Sequence, residues 1–368
     1  MFGRAGVRPS VVLTLIGALV LTGTMLAPAA AAAPRACRVT DLDTGRTTGS
    51  LQRAVRAASK GDRLVVRGTC RGVTWIGKDL SIRGTQTATS GRPVLDGKDA
   101  GTVLKIGARA SVILKGLTIR HGAAARGGGI YNRGTLVLRD VVVRANVASE
   151  DGGGIYNYAR AILRLRGSSV IRGNTAAEQG GGIGNLGTLV VADSSTIRGN
   201  SADMSGGGVA IFLDVATMVM KGSSSITGNA AVGANVYTAA GGGVSTNGMV
   251  TMQDSSVISG NTASRLGGGV NVFPQGRLVM RDASSIHDNE AVDGGGVFAF
   301  GGSLDGLRLP PDANPNVYDN SPDDCHARKE VYEGEPGADV ACDGPDSDPD
   351  LSTSQPVGVP TSSGSTSP

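Results

Sequence analysis

Seven glycine triplets, beginning at Gly127, Gly152, Gly180, Gly206, Gly241, Gly267 and Gly294, recur mostly about 26 residues apart, and no other feature constrains the fold of this chain as strongly. A branched aliphatic residue follows each triplet: Ile130, Ile155, Ile183, Val209, Val244, Val270 and Val297. The next segment places apolar residues at alternate positions, as in Leu136 and Leu138, Leu163 and Leu165, Leu189 and Val191, Met218 and Met220, Val250 and Met252, and Leu278 and Met280. Such alternation marks a strand with one buried face. A third segment ends in asparagine, with an aliphatic residue three positions earlier: Val143 and Asn146, Ile171 and Asn174, Ile197 and Asn200, Ile226 and Asn229, Ile258 and Asn261, Ile286 and Asn289, Val317 and Asn320.

Three short strands per repeat, none able to fold alone, bury their apolar stripes most economically if the chain winds into coils that stack. Each strand then pairs in parallel with its equivalent in the next coil. At a spacing of about 4.8 Å, about eleven coils would make a rod roughly 50 Å long. Aromatic residues are 3% of the chain, which excludes a globular core built on them. Glycine, 58 of 368 residues, does not recur every third position as collagen requires. The expected fold class is therefore all-β, a right-handed parallel β-helix. Leu64 to Val66, Leu80 to Ile82, Val103 to Ile106 and Val112 to Ile119 read as strands of earlier coils. Before them, Leu51, Ala54, Val55 and Ala58 fall on one helical face behind Ser50 as N-cap, which predicts an amphipathic helix covering the open end of the stack.

The ends have a different character. Arg4 and Arg8, an apolar run from Val11 to about Leu26 and the small-residue tract Ala29 to Ala33 read as a signal peptide over residues 1–33, which predicts a secreted, extracellular chain. No other segment approaches the roughly 20 apolar residues of a membrane span. Residues 343–368, rich in Pro, Ser, Thr and Asp, read as a disordered tail, which leaves 37–342 as the repeat domain. Cys37 follows the expected cut, but Arg35 and Ala36 make a poor lipobox. Four cysteines in an exported chain imply two disulfides. Cys37 and Cys70 bracket the start and Cys325 and Cys342 the end, so local pairing is expected. His121, His287 and His326 do not lie at zinc-ligand spacing from the cysteines, and neither a metal nor a cofactor is expected.

The repeat Gly-Gly-Gly-Ile-Tyr-Asn, then Gly-Thr-Leu-Val-Leu-Arg-Asp, then a segment ending Asn-Val-Ala or Asn-Thr-Ala, resembles the pectin-lyase-like right-handed β-helix proteins, including the polymorphic outer-membrane protein repeats. The opening, Cys37-Arg-Val-Thr with Ser50-Leu-Gln-Arg-Ala-Val and Gly68-Thr-Cys-Arg-Gly, is similar to secreted bacterial members. The resemblance covers nearly all of residues 37–342 and is specific for fold. For function it implies only a range, from polysaccharide lyases and hydrolases to adhesins. The lyases of this fold use an arginine base with calcium-bound uronate, and this chain has arginines without an evident calcium carboxylate cluster.

Most polar columns have a structural explanation. The asparagines Asn146 to Asn289, stacked in register, read as a hydrogen-bonded ladder. Asp140, Asp193, Asp254 and Asp282 could hold calcium between coils, but Gly167 and Gly222 interrupt the column, so turn capping is favoured. The serines beside them, Ser168 and Ser169, Ser194 and Ser195, Ser223 to Ser225, Ser255 and Ser256, and Ser284 and Ser285, read as turn formers. No carboxylate pair at the separation that glycoside hydrolysis needs is guaranteed by the repeat register.

Charge is distributed less evenly. Residues 37–200 carry 25 Lys and Arg against 11 Asp and Glu, whereas residues 201–342 carry 7 against 16. Arg120, Arg144, Arg172 and Arg198 each follow the inward residue of the third strand, so they are expected to point outward on consecutive coils. Arg139 and Arg166, with Lys221, form a second, interrupted basic row. Like charges about 5 Å apart repel by roughly 1 kcal/mol per pair, and a linear anion would relieve that repulsion. The plainer alternative is that the arginines keep an exposed sheet soluble. The expected function is a non-catalytic extracellular rod that binds an anionic polysaccharide or cell-surface polymer through these arginines. A polysaccharide lyase or hydrolase and a protein-binding adhesin are the alternatives. Export and the scarcity of stacking aromatics argue against nucleic acid. The sequence leaves the oligomeric state open.

Overall fold

A computed structural model describes residues 36–86, 91–233, 239–309 and 315–328. The expected signal peptide, the tail and Cys342 lie outside these residues. The described residues form a parallel β-solenoid in which the three repeat segments become the three long faces. The alternating segments build a 12-stranded sheet, here the long-strand sheet, whose parallel part runs from Arg63–Arg67 to Ser303–Asp305. The segments ending near asparagine form a 10-stranded arginine sheet from Thr69–Arg71 to Val317–Tyr318. The segments after the triplets form a 10-stranded triplet sheet from Thr74–Ile76 to Cys325–Arg328. Six two-residue strands, from Ala123–Ala124 to Thr262–Ala263, make a narrow fourth sheet behind the asparagine corner. The expected eleven coils are therefore ten strands deep among the described residues. Parallel strands joined by crossovers take the right hand in nearly all folds.

Register is kept from rung to rung. Leu136 lies beside Leu163, Val143 beside Ile171, and Ile130 beside Ile155. All of these side chains are fully buried, so each column adds about 1.5–3 kcal/mol of apolar burial per rung. The expected strand over Val112 to Ile119 is in fact two, Ser111–Lys115 and Thr118–Arg120, on different sheets. Gly116, at φ +64°, turns the chain between them.

That corner also explains the broken aspartate column. Its residue is left-handed in seven successive rungs: Gly116, Asp140, Gly167, Asp193, Gly222, Asp254 and Asp282 all have φ between 54° and 67°. Glycine takes this conformation freely, and aspartate is among the few side chains that tolerate it. The carboxylates then cap backbone groups of neighbouring rungs. Asp140 accepts from Ser168 N at 3.0 Å, Asp193 from Gly167 N at 2.7 Å and Asp254 from Gly222 N at 2.8 Å. Among the serines, Ser169 Oγ donates to Arg166 O at 2.8 Å and Ser284 Oγ to Arg281 O at 2.7 Å, whereas the buried Ser224 and Ser256 hydroxyls have no hydrogen-bond partner among the described residues.

The triplet corner is tighter. Gly180 has φ +68°, and a Cβ at Gly181 would run into the Ser201 carbonyl of the next rung. Rung contact here is backbone on backbone, and no side chain fits between. Gly181→Ala is expected to cost about 3 kcal/mol, the upper end of overpacking losses. Urea titration should show a lower midpoint at unchanged slope, and a loss below about 1 kcal/mol would mean that the corner relaxes around a methyl group.

At the N-terminal end a helix, α1 (Leu51–Ala57), covers the stack, with Ser50 Oγ accepting from Arg53 N. Leu51, Ala54, Val55 and Ala58 are all buried, as the helical spacing predicts. Gln52 Oε1 accepts from the edge amide of Trp75 at 2.8 Å. The strand Arg38–Asp41 pairs antiparallel with Arg63–Arg67 and covers the first strand of the parallel part of the long-strand sheet, with Thr47–Thr48 outside it. Cys37 and Cys70 are joined by a disulfide, as local pairing predicts. Cys325 is disulfide-bonded as well.

Candidate functional site

The arginine column exists as the register requires. Arg120 pairs with Arg144, Arg144 with Arg172 and Arg172 with Arg198, and the row continues as Thr227 and Ser259. Ile119, Val143, Ile171 and Ile197 point into the core, so the arginine that follows each of them points out. Arg172 and Arg198 are exposed, and Arg120 and Arg144 half-buried. Burial, with Arg120 and Arg172 on either side, pulls the Arg144 guanidinium below its ordinary value. The column is therefore electrostatically loaded.

One member is already engaged. The position below Arg120 is Asp96, whose carboxylate accepts from Arg120 Nε at 3.1 Å and lies 3.3 Å from His121 Nδ1. Burial works to raise the Asp96 pKa, but the Lys98 amide, His121 and Arg120 outweigh it and hold it low. Among the described residues no ion pair reaches Arg144, Arg172 or Arg198. The free part of the column is thus these three residues.

The second row is longer than the sequence suggested. Arg83, Lys115, Arg139 and Arg166 occupy one outward column on consecutive rungs of the long-strand sheet. Ala192 follows, and Lys221 takes the position after it, as the hydrogen bonds of their amides to Leu165 and Val191 show. Only four residues lie between Arg139 and Arg144 across the corner at Asp140, so two cationic rows flank one edge of the solenoid. A shallow open groove of about 610 Å³ beside α1, lined by Arg46, Arg53 and Arg56, lies apart from both rows.

Two features escaped the sequence reading. One is a carboxylate group at the triplet corner. Glu150 and Glu178 are equivalent on successive rungs, Glu178 N donating to Glu150 O at 3.0 Å, so the register does bring acidic residues together. Asp151, next to Glu150, is 7% exposed, and its Oδ1 has no hydrogen-bond partner. Burial, then the Glu178 charge, pushes the Asp151 pKa up. Arg126 binds the Glu150 carboxylate at 2.8 Å and Asp151 Oδ2 at 3.2 Å.

The other is an aromatic shelf beside that group. Tyr131 and Tyr156 stack at 5.4 Å, Tyr158 lies 6.2 Å from Tyr131, and Phe212 lies 6.3 Å from Tyr156. Arg126 sits over the Tyr156 ring at 5.6 Å. Burial pushes the Tyr156 hydroxyl up to about 12. The signal for both features was present in the Ile-Tyr-Asn repeats and in Glu150-Asp151, but it required rung-to-rung pairing to become visible. The chain matches no protein-family model, no curated protein and no solved structure.

Proposed function

We propose that the basic half of the solenoid is a non-catalytic docking face for an extracellular anionic polymer, an acidic polysaccharide or a cell-surface polymer of similar charge. The observation that carries this reading is the in-register run Arg120, Arg144, Arg172 and Arg198, with Arg144 depressed by its own neighbours. Outward positions on a parallel solenoid repeat about every 4.8 Å. A linear chain of anionic groups can therefore meet several guanidinium groups at once through bidentate contacts. The signal-like N-terminal segment supports an extracellular partner. The motif resemblance to pectin-lyase-like and outer-membrane repeats supports a polymer as the ligand.

Purified protein titrated with acidic and neutral polysaccharides at low salt tests this. Binding should be confined to the acidic members and should weaken as salt shortens the screening length. Replacing Arg144 and Arg172 together by alanine should weaken it at least about tenfold. Replacing Arg277 and Arg281 should change little, because they lie in the acidic half and Arg277 is already paired with Asp305 at 3.1 Å. Equal losses from the two double variants would leave the arginines as solubilising surface.

One observation favours a second reading, a glycoside hydrolase. The Asp151 carboxyl, its pKa raised by burial and then by the Glu178 charge, is the group to test as a general acid. New reducing ends that disappear in Asp151→Asn would establish it and displace the non-catalytic reading.

A further inference from the structure

Asp293, Asp323 and His326 converge at the C-terminal end of the described stack, far from the arginine rows in sequence, and each offers one ligand atom within 4.8 Å of the others. Asp293 immediately precedes the last glycine triplet, at Gly294. Asp323 and His326 belong to the coil that follows. His326 Nδ1 lies 3.0 Å from Asp293 Oδ1 and 3.8 Å from Asp323 Oδ2.

Each group is held in place by something else. Asp323 Oδ1 accepts from Gly295 N at 3.0 Å, which turns Oδ2 toward the imidazole. The His326 ring stacks on Phe298 at 5.5 Å with planes 14° apart, and its strand pairs Phe298 with His326. The three side chains are between 15% and 24% exposed, so solvent can reach them.

We infer that Asp293, Asp323 and His326 form a zinc-class divalent cation site that clips the last two described coils together. Bonds of about 2.0–2.2 Å to nitrogen and carboxylate oxygen place tetrahedral ligands about 3.4 Å apart. The two nitrogen–oxygen separations straddle that value and all three ligand atoms lie within 4.8 Å of one another, so an ion fits between them with shifts of about an ångström or less. One imidazole with two carboxylates is a donor set that suits zinc and its transition-metal neighbours. Calcium, which collects six to eight oxygens, would find too few. Without an ion, the imidazole Nδ1–H donates to the Asp293 carboxylate with Asp323 close by, and these two groups, Asp293 first, lift the His326 pKa to about 9. The ion takes the place of that proton, so up to one proton leaves as it binds.

Calorimetric titration of the full chain with zinc alone, with magnesium and calcium as controls, tests the site. Zinc should bind with one strong equivalent and raise the unfolding temperature, as any ligand of the native state does. Asp323→Asn and His326→Phe should each weaken that equivalent by roughly a hundredfold or more, past the cost of losing an outer partner. His326→Phe keeps a ring on Phe298, and unchanged circular dichroism would show that the coil still forms. Zinc binding that survives in both variants would place the ion elsewhere. Absence of zinc binding to the parent chain would reduce the cluster to an ion pair.

Discussion

Asn200→Ala is expected to destabilise the solenoid by about 4 kcal/mol, close to the limit for a single substitution. Asn200 is buried in the middle of an unbroken ladder. Its Oδ1 accepts from Asn174 N at 3.0 Å and from Asn174 Nδ2 at 2.9 Å. Its Nδ2 donates to Ile171 O at 3.0 Å and to Asn229 Oδ1 at 2.9 Å. Alanine removes all four bonds and leaves the Asn174 backbone amide without an acceptor, at a cost of about 1–3 kcal/mol for each buried group left unpaired. The fault also divides the column, because rungs stabilise only their neighbours. Urea denaturation should give the loss, and hydrogen exchange should show faster exchange at the Asn174 amide than at Asn261. A loss below about 1 kcal/mol would mean that water replaces the ladder at no net cost.

Replacing Cys37 and Cys70 together by serine should remove about 3–4 kcal/mol in the chain-entropy account, given a sequence separation of 33 residues. The location of the damage matters as much as its size. Arg38–Asp41 has a sheet partner on each side, but Thr47–Thr48 on its outer side is only two residues long. The N-terminal coil therefore has little stacking to fall back on. Exchange of the Arg63–Arg67 amides should accelerate, while those of Leu189 and Val191 stay protected. Uniform acceleration along the whole stack would show that the solenoid unfolds as one unit, and that the bond stabilises every rung.

The parts of this molecule that repeat were legible, because repetition turns a weak local pattern into a column. The inward Leu136, Leu163 and Leu189, the asparagine ladder and the outward arginines follow from period and parity alone. What sequence could not supply was pairing between positions that do not repeat. Asp96 sits under Arg120 in a rung whose motif is degenerate. Arg83 and Lys115 extend the second basic row from coils that precede the first triplet. The second ladder, Asn132 to Asn157 to Asn185 with Nδ2 to Oδ1 distances of 2.7 Å, ends where Ile211 replaces the amide. Gly167 looked like a gap in an aspartate column because the shared property of those residues is a backbone angle, which the residue alphabet conceals. The cluster at His326 joins residues on two coils, and its histidine recurs at no equivalent position.

The asparagine ladder also has a direction. From Asn146 to Asn320 every side-chain amide donates toward the C-terminal end, so the amide dipoles line up head to tail and polarise one another. Positive partial charge collects at the last member, where Asp324 Oδ1 accepts from both Asn320 N at 3.0 Å and Asn320 Nδ2 at 2.9 Å. A carboxylate accepts but has no proton to hand on. The row is therefore a one-way polar chain with a built-in stop, and a second molecule laid against that end would find no donor with which to continue it. Where open stacks of strands grow into fibres by copying themselves onto a free end, this one ends in a substitution of a single functional group, an acid in place of an amide.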